Sequence, residues 1–468
     1  MRLQSRHRGS RLREVVDLVS CLLCLPSSYC LDYGLARYYL TTGEQEASTS
    51  LAKLRDRLLL GPLLLALALL FLPIAIHGWV LWVLLCHLLP SRPYSLLTLG
   101  SPSPTPSHQT VFTFVSCNAL LGPEMINKFN NLGDGVTRLR GIAANILRQT
   151  ENSLENVKGN LGSVARQEAV LSRFPHVDFL CFQEVFSRTH SVLLASLLAP
   201  LYPHTVLDVG KHSLGTNLCL LGSGLMVASR FPITSAEFLP WRDKRRWHYC
   251  LGQGLLVCKV DLGEGRVGVL ATLHMVAYQG RHQLIRGALD QVTEEVRRFR
   301  EREVAEDEVL EWEVVAGDWN VDNLSPGDRG CAEHEVFREF SDPATVAAGE
   351  DQGWSVGTET RQATLHRPEM RDPETFREIL IDDVRRRHYI NDADVEEHSF
   401  ELMTSKPRPN ATGEVVAKVW GGQRRIDRVV HRGGEVVGVA TVTALAGLTD
   451  HAPVLVVIGK AKLSDTSN

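Results

Sequence analysis

Asp318 and Asn320 lie two residues apart, just after the apolar run Val314, Val315, Ala316 and a glycine, Gly317. A carboxylate and an amide at the C-terminal end of a buried strand suit a phosphate group or a metal-bound water. If Gly317 turns the backbone and the chain then stays extended, the two side chains project to the same side. Other runs place similar groups at or near the ends of apolar stretches: Asn118, Glu184, His274, Asp427 and the adjacent Asp450 and His451. Each alone reads equally as a turn cap or a surface salt link. Together they supply what hydrolysis of a phosphodiester needs. Glu184 can hold one Mg²⁺, with Mn²⁺ as the alternative, because a hard cation takes one or two carboxylates and keeps several waters. His451 can act as general base on the attacking water, with Asp450 or Asp318 holding its ring. Asp318 and Asn320 can aim that water in line with the leaving oxygen. His274, oriented by Asp427, can stabilise charge on the non-bridging oxygens, and Asn118 completes the set.

The elements that must position these groups follow from the hydrophobic pattern. A strand over 111–116 leads to Asn118, and a helix is expected over 136–148. Residues 149–165 read as a polar loop. A strand over 177–186 carries Gln183 and Glu184, and another over 223–233 stops at Pro232. Paired strands over 254–260 and 267–272 lead to His274, a helix follows over 283–300, and the next strand ends at Asp318. A short strand carries Asp427, and Asp450 and His451 sit on a loop before a closing strand. The basic run WRDKRRW at 241–247 reads as a solvated loop in preference to a headgroup contact, and residues 341–410 give no clear pattern. Strands alternating with helices define an α/β class, with the strand ends gathered along one edge.

The chain has 468 residues, 22% of them charged, a net charge of −4 and a pI near 6.5. That balance gives no basic footprint for nucleic acid. Its ten cysteines show neither metal-site nor disulfide spacing. Cys117, Cys181 and Cys258 lie in apolar runs, so the globular part reads as facing a reducing compartment. Residues 1–14 carry five arginines against Glu14: a mitochondrial presequence, a flank for anionic lipid, or a disordered tail. The stretch 15–31 is apolar but holds Asp17 and Pro26, which suits an interfacial or re-entrant helix better than a span. Its Cys21, Cys24 and Cys30 are palmitoylation candidates or simply small hydrophobes. Residues 58–89 contain no Asp, Glu, Lys or Arg. They read as one tilted span or as a hairpin broken at Pro62, Pro73 or Gly78. The expected division is a membrane-associated region 1–100, a Ser/Pro linker 101–110, a catalytic domain 111–460 and a tail 461–468.

The set of Asn118, Gln183 with Glu184, His274, the GDWN run at 317–320, Ile426 with Asp427, and Asp450 with His451 resembles the DNase I-like superfamily of endonucleases, exonucleases and phosphodiesterases. That resemblance implies a four-layer α/β sandwich, preceded here by the helical anchor. YYLTTGEQE at 38–46, the long apolar segment, SRPY at 91–94, and the VSCNALL and CFQEVF runs look like the membrane-anchored neutral sphingomyelinases. Only about residues 149–170 stand where the longer Golgi and plasma-membrane form carries a large insertion, so the chain is more similar to the short mitochondria-associated form. The resemblance implies Mg²⁺-dependent conversion of sphingomyelin to ceramide and phosphocholine. It also implies activation by anionic phospholipids (phosphatidylserine, cardiolipin), no nucleic-acid partner, and a mitochondrial or endoplasmic-reticulum membrane, with the Golgi or inner plasma-membrane leaflet as the alternative. One departure stands out. The family's Asp–Lys switch pair is missing, with Gln253 before Gly254 and no acid closer upstream than Asp243. Other readings are a tethered phosphodiesterase acting on lysophospholipids or nucleic acid, and a lipid-binding scaffold without turnover.

Overall fold

The computed structural model describes residues 4–5, 11–88, 93–99, 108–150, 165–210, 222–243, 252–277, 282–395 and 421–460. The arginines at 2, 6 and 8, the Ser/Pro run 101–107, most of the polar loop after 149, the basic residues 244–247 and the tail 461–468 lie outside the described residues.

Two N-terminal helices are long and apolar enough to cross a membrane, by length and composition, over Val15–Ala36 and Ser50–Leu84. The first is one helix, Arg11–Ala36, with Pro26 inside it. The second runs unbroken over Gly61–Leu88, after a short helix Ser50–Arg55 and a wide π turn Asp56–Leu60. Of the two readings of 58–89, the unbroken helix is therefore the one found, not the hairpin broken within it. Pro62 sits in the first turn of that helix, where no N–H partner is needed, and Pro73 lies inside it, where it removes one helical bond. The two helices pair antiparallel. Ser27 Oγ donates to the Ala68 carbonyl at 2.9 Å and Cys24 Sγ to that of Ala75 at 3.4 Å. A Cβ at Gly78 would lie 2.8 Å from that of Leu23, so only glycine lets the helices approach so closely there. The hairpin is thus made by two helices, not by a kink in one.

The first helix also lies along the rest of the molecule. Asp32 accepts from the main-chain N–H groups of Glu124 and Met125, both at 2.8 Å, and Asp17 pairs with Arg188. These contacts are four helical turns apart, about 22 Å along the axis. Val15, Leu18, Leu22, Leu25 and Tyr29 form an exposed stripe on the same helix.

Two large sheets follow. In spatial order the nine-stranded sheet contains Gln4–Ser5, Ser95–Thr98, His204–Leu207, Met226–Ser229, Phe179–Gln183, Val111–Asn118, Val454–Gly459, Glu435–Val442 and Val170–Leu171. The five-stranded sheet contains Asp427–Arg432, Val309–Asp318, Arg266–His274, Gly254–Gly263 and Ile233–Pro240. Apolar side chains from both meet in one core, where Phe114 stacks on Phe179 at 4.9 Å and edges Trp312 at 4.8 Å. Helices Gly135–Leu147 and Arg188–Leu198 share a second core with the larger sheet, and His282–Glu303 a third with the smaller. The fold is mixed α/β, with most neighbouring strands antiparallel. The single strand expected over 223–233 is two, Met226–Ser229 and Ile233–Pro240, which belong to different sheets. Pro232 falls between them, where the chain leaves one sheet and no ladder donor is required.

The stretch from 341, without pattern in the sequence, is fastened by buried charge. Asp342 accepts from Arg425 Nη1 at 2.9 Å and from the Ala344 N–H at 3.0 Å. Burial raises its pKa, but Arg425, Arg428 and the Ala344 N–H together hold it below the usual carboxylate range. The folded pKa thus lies below the unfolded value of about 3.9. Its contribution is present above that value and lost as pH falls through the folded pKa. Asp342→Asn is expected to cost about 3 kcal/mol at pH 7. In urea unfolding the gap between parent and variant should shrink below about pH 4; a gap independent of pH would contradict this.

Candidate active site

Strand register sets the first row of site residues. Arg266–His274 pairs parallel with Val309–Asp318, which puts His274 opposite Asp318. Val309–Asp318 pairs antiparallel with Asp427–Arg432, which puts Asp318 opposite Asp427. His274, Asp318 and Asp427 therefore stand side by side across three strand ends. In the other sheet Asn118 lies opposite Gln183, one residue before Glu184. The Asn118 amide joins the two sheets: Nδ2 donates to Glu184 Oε1 at 2.9 Å and to Asp318 Oδ2 at 3.0 Å. Its Oδ1 accepts from the Leu120 N–H at 3.2 Å, which fixes which end of the amide points at the carboxylates.

Glu184 adopts φ 62°, a left-handed conformation that costs a non-glycine residue about 1 kcal/mol or more. The bond from Asn118 and the Leu121 N–H on its carbonyl at 2.9 Å hold it there. The local geometry around Asp318 differs from the simple extended reading. Gly317 does not make the turn; a Cβ there would lie 2.3 Å from the Leu273 carbonyl oxygen, so glycine permits close strand packing. The turn falls at Asn320, with φ 50°. Asn320 therefore leaves the extended path of the strand. Its N–H donates to Asp318 Oδ1 at 2.9 Å, and its Nδ2 to the Met275 carbonyl at 3.0 Å.

The imidazole partners are also exchanged relative to the sequence expectation. His451 Nδ1 lies 2.8 Å from Asp427 Oδ2, so Asp427 orients His451, not His274. Neither Asp318 nor Asp450 is hydrogen-bonded to that ring. The reason is register: Asp427 lies on the outermost strand of its sheet, on the far side of Asp318 from His274. His274 Nε2 instead lies 3.7 Å from Asp318 Oδ2 and 3.8 Å from Glu184 Oε1. Asp450 is buried, and its Oδ1 has no hydrogen-bond partner among the described residues.

Electrostatically the site is a buried concentration of negative charge. Burial, followed by the charge of Asp450, pushes Glu184 up to about 7. Burial, followed by Asp427, pushes Asp318 up to about 6. Burial lowers the pKa of His274. Burial also works against the charged form of His451, but Asp427, Asp450 and Asp318 outweigh it and raise its pKa well above the ordinary value. Ligand atoms of Glu184, His274 and Asp318 lie within 4.8 Å of one another, as do those of Asp318, Asp427 and His451. Oxygen-rich and short of compensating cations, these residues fit a hard divalent ion. They form a divalent-metal-binding site in which Asp318 belongs to both groups.

Several supporting residues carry no motif in the sequence. Buried Arg138 donates to the carbonyls of Ala119, Leu120 and Leu448, and so ties the loop after Asn118 to the loop before Asp450. Its helix also carries Thr137, Arg140 and Asn145, so nothing local singles Arg138 out. Trp241, expected in a solvated loop, is buried, and its Nε1 donates to the His274 carbonyl at 3.0 Å. Residues 358–360 hold the segments of Asp427 and His451, and nothing in their local pattern announces it.

A model of the Endonuclease/Exonuclease/phosphatase family matches residues 142–451, and the chain belongs to that family. Among individual proteins, it is 34% identical to sphingomyelin phosphodiesterase 5 of Danio rerio over 295 residues, covering 60% of this chain and 52% of that protein. To sphingomyelin phosphodiesterase 5 of Mus musculus it is 29% identical over 412 residues, covering 83% of this chain and 81% of that protein. To sphingomyelin phosphodiesterase 3 of Homo sapiens it is 29% identical over 304 residues, covering 60% and 44%. The match thus spans about half the length of the first and third of these relatives.

Proposed function

We propose that the chain is a divalent-metal-dependent phosphodiesterase that hydrolyses sphingomyelin to ceramide and phosphocholine at a membrane surface. The observation that carries this reading is the meeting of Glu184, Asp318 and Asn118 beside the Asp427–His451 pair, in a chain similar to proteins named sphingomyelin phosphodiesterases. The two sheets with helices outside are read as a four-layer α/β sandwich, and residues 111–460 as the catalytic domain.

Glu184, with Asp318 beside it, would hold the cation, Mg²⁺ or alternatively Mn²⁺. When bound, the ion supplies Lewis-acid polarisation of the phosphoryl oxygen. With Nδ1 committed to Asp427, His451 takes a proton from the attacking water at Nε2. Asp318, fixed by Asn118 and by the Asn320 N–H, aims that water together with Asn320. His274 donates from Nε2 to the non-bridging oxygen as charge builds there. Asp450 adds negative charge beside Glu184 and His451.

The two apolar helices suit attachment to a membrane, and the reading extends to a mitochondrial or endoplasmic-reticulum membrane, with the Golgi or inner plasma-membrane leaflet as the alternative. The basic N-terminal flank suits activation by anionic phospholipids such as phosphatidylserine and cardiolipin. A headgroup-release panel over sphingomyelin, lysophosphatidylcholine and platelet-activating factor, with and without cardiolipin, tests substrate and activator together. Sphingomyelin should lead, and cardiolipin should raise its rate. A preference for a lysolipid would redirect the substrate assignment, plasmid nicking would favour a nuclease, and liposome binding with no release would favour a scaffold.

A further inference from the structure

The Asp427–His451 pair rests on a segment far from either residue in sequence. Residues 358–360 form a short bridge with the loop of His451. The Thr360 N–H and Oγ donate to the Asp450 carbonyl at 2.8 and 2.6 Å, and the Ala452 N–H donates to the Thr358 carbonyl at 2.8 Å. The same segment grips Asp427, because Thr358 Oγ accepts from the N–H groups of Ile426 and Asp427, both at 3.3 Å.

The segment is held by main-chain bonds, the Thr358 N–H to the Arg424 carbonyl and the Asn391 N–H to the Glu359 carbonyl, both at 2.9 Å, and by an ion pair. Arg424 Nε donates to Glu359 Oε2 at 2.6 Å, and its Nη1 donates to Asp322 Oδ2 at 2.9 Å. Asp322 lies four residues beyond Asp318 and caps its own loop through the N–H groups of Leu324 and Ser325. Arg424 is three residues before Asp427 in the chain. One buried guanidinium thus links the loop after Asp318, the strand that begins with Asp427, and, through Glu359, the loop that carries His451. A planar fork with donors in fixed directions can hold two carboxylates at a set separation, which a lysine cannot do.

We propose that Glu359 and Arg424 are positioning residues for the reaction: their ion pair sets the Asp427–His451 hydrogen bond in register with Asp318, without touching substrate. The proposal rests on His451 being the base. Misplacing a base by about 1 Å costs about 100-fold in rate.

The test is Glu359→Gln in the full chain. Glu359 is only partly buried, whereas loss of the Arg424 guanidinium leaves buried Asp322 unpaired and can unfold the protein. The expected result is kcat lowered about 10- to 100-fold, with KM within about twofold, a cooperative thermal transition whose midpoint stays well above the assay temperature, and partial recovery in Glu359→Asp. Arg424→Lys should lower kcat as Glu359→Gln does, since lysine keeps the charge but not the fork. Parent-like kcat in folded Glu359→Gln, or a loss confined to KM, overturns the proposal and leaves His451's role standing. A parent protein with no metal-dependent release, or a fully active His451→Ala variant, overturns the base assignment and this proposal with it.

Discussion

Alanine in place of His451 is expected to lower phosphocholine release by about 10²- to 10⁴-fold, the usual worth of a positioned general base. The argument begins with the ring's partners. Asp427 holds Nδ1 at 2.8 Å, which fixes the tautomer and leaves Nε2 for the water. Burial alone would keep the imidazole neutral, yet the carboxylates around it favour the imidazolium. A protonated ring cannot take a proton, so compensating Glu184 and Asp318 is part of what makes His451 a base near neutral pH. The variant should therefore lose rate while keeping metal binding, measured as the rise in thermal midpoint on adding Mg²⁺. Activity within threefold of the parent would remove His451 from the mechanism.

The second large effect belongs to Asp318, which both ligand groups share. Asp318→Asn is expected to lower activity by about 10²- to 10³-fold, comparable to losing one preorganised charge-stabilising group. It should also raise stability without metal. The sign follows from linkage. Burial, with Asp427 beside it, lifts the folded pKa to about 6, above the ordinary 3.8. The folded state then binds the proton more tightly, so stability falls as pH rises between those values, and the full penalty is in force at pH 7.5. Asparagine removes the charge and keeps an acceptor for Asn118 or Asn320. A gain of about 1–3 kcal/mol in EDTA follows. In the parent, Mg²⁺ at a hundred times its dissociation constant should add about 2.7 kcal/mol, and in the variant that increment should largely vanish. A variant less stable than the parent in EDTA, with the Mg²⁺ increment intact, would contradict both the electrostatic reading and the ligand assignment.

Much of the site was legible because the signal is local. Apolar runs ending in Asn118, Glu184, His274 and Asp318 mark buried strands whose ends need something polar, and these residues do converge. Their pairing was not legible. Whether Asp427 faces His274 or His451 depends on the register of non-consecutive strands, and no local pattern encodes that. The backbone at 317 and 320 was not legible for a related reason: Gly317 answers to the neighbouring strand at Leu273, and the left-handed residue is Asn320, which no local pattern marks. Segment 358–360 could not be placed because its value lies in long-range main-chain bonds, for which threonine and glutamate carry no signature. In the N-terminal region, composition alone marked the apolar helices. Their antiparallel pairing depends on contacts between residues 41 and 51 apart, and the contacts of Asp17 and Asp32 along the domain depend on partners more than ninety residues away.

The most direct measurement of the central claim is phosphocholine release from sphingomyelin mixed micelles by the full chain, at neutral pH, in Mg²⁺ and in excess EDTA. Steady release in Mg²⁺ that is abolished by EDTA and restored by added Mg²⁺ is the predicted result. Equal release in both, or none in either, would contradict the assignment.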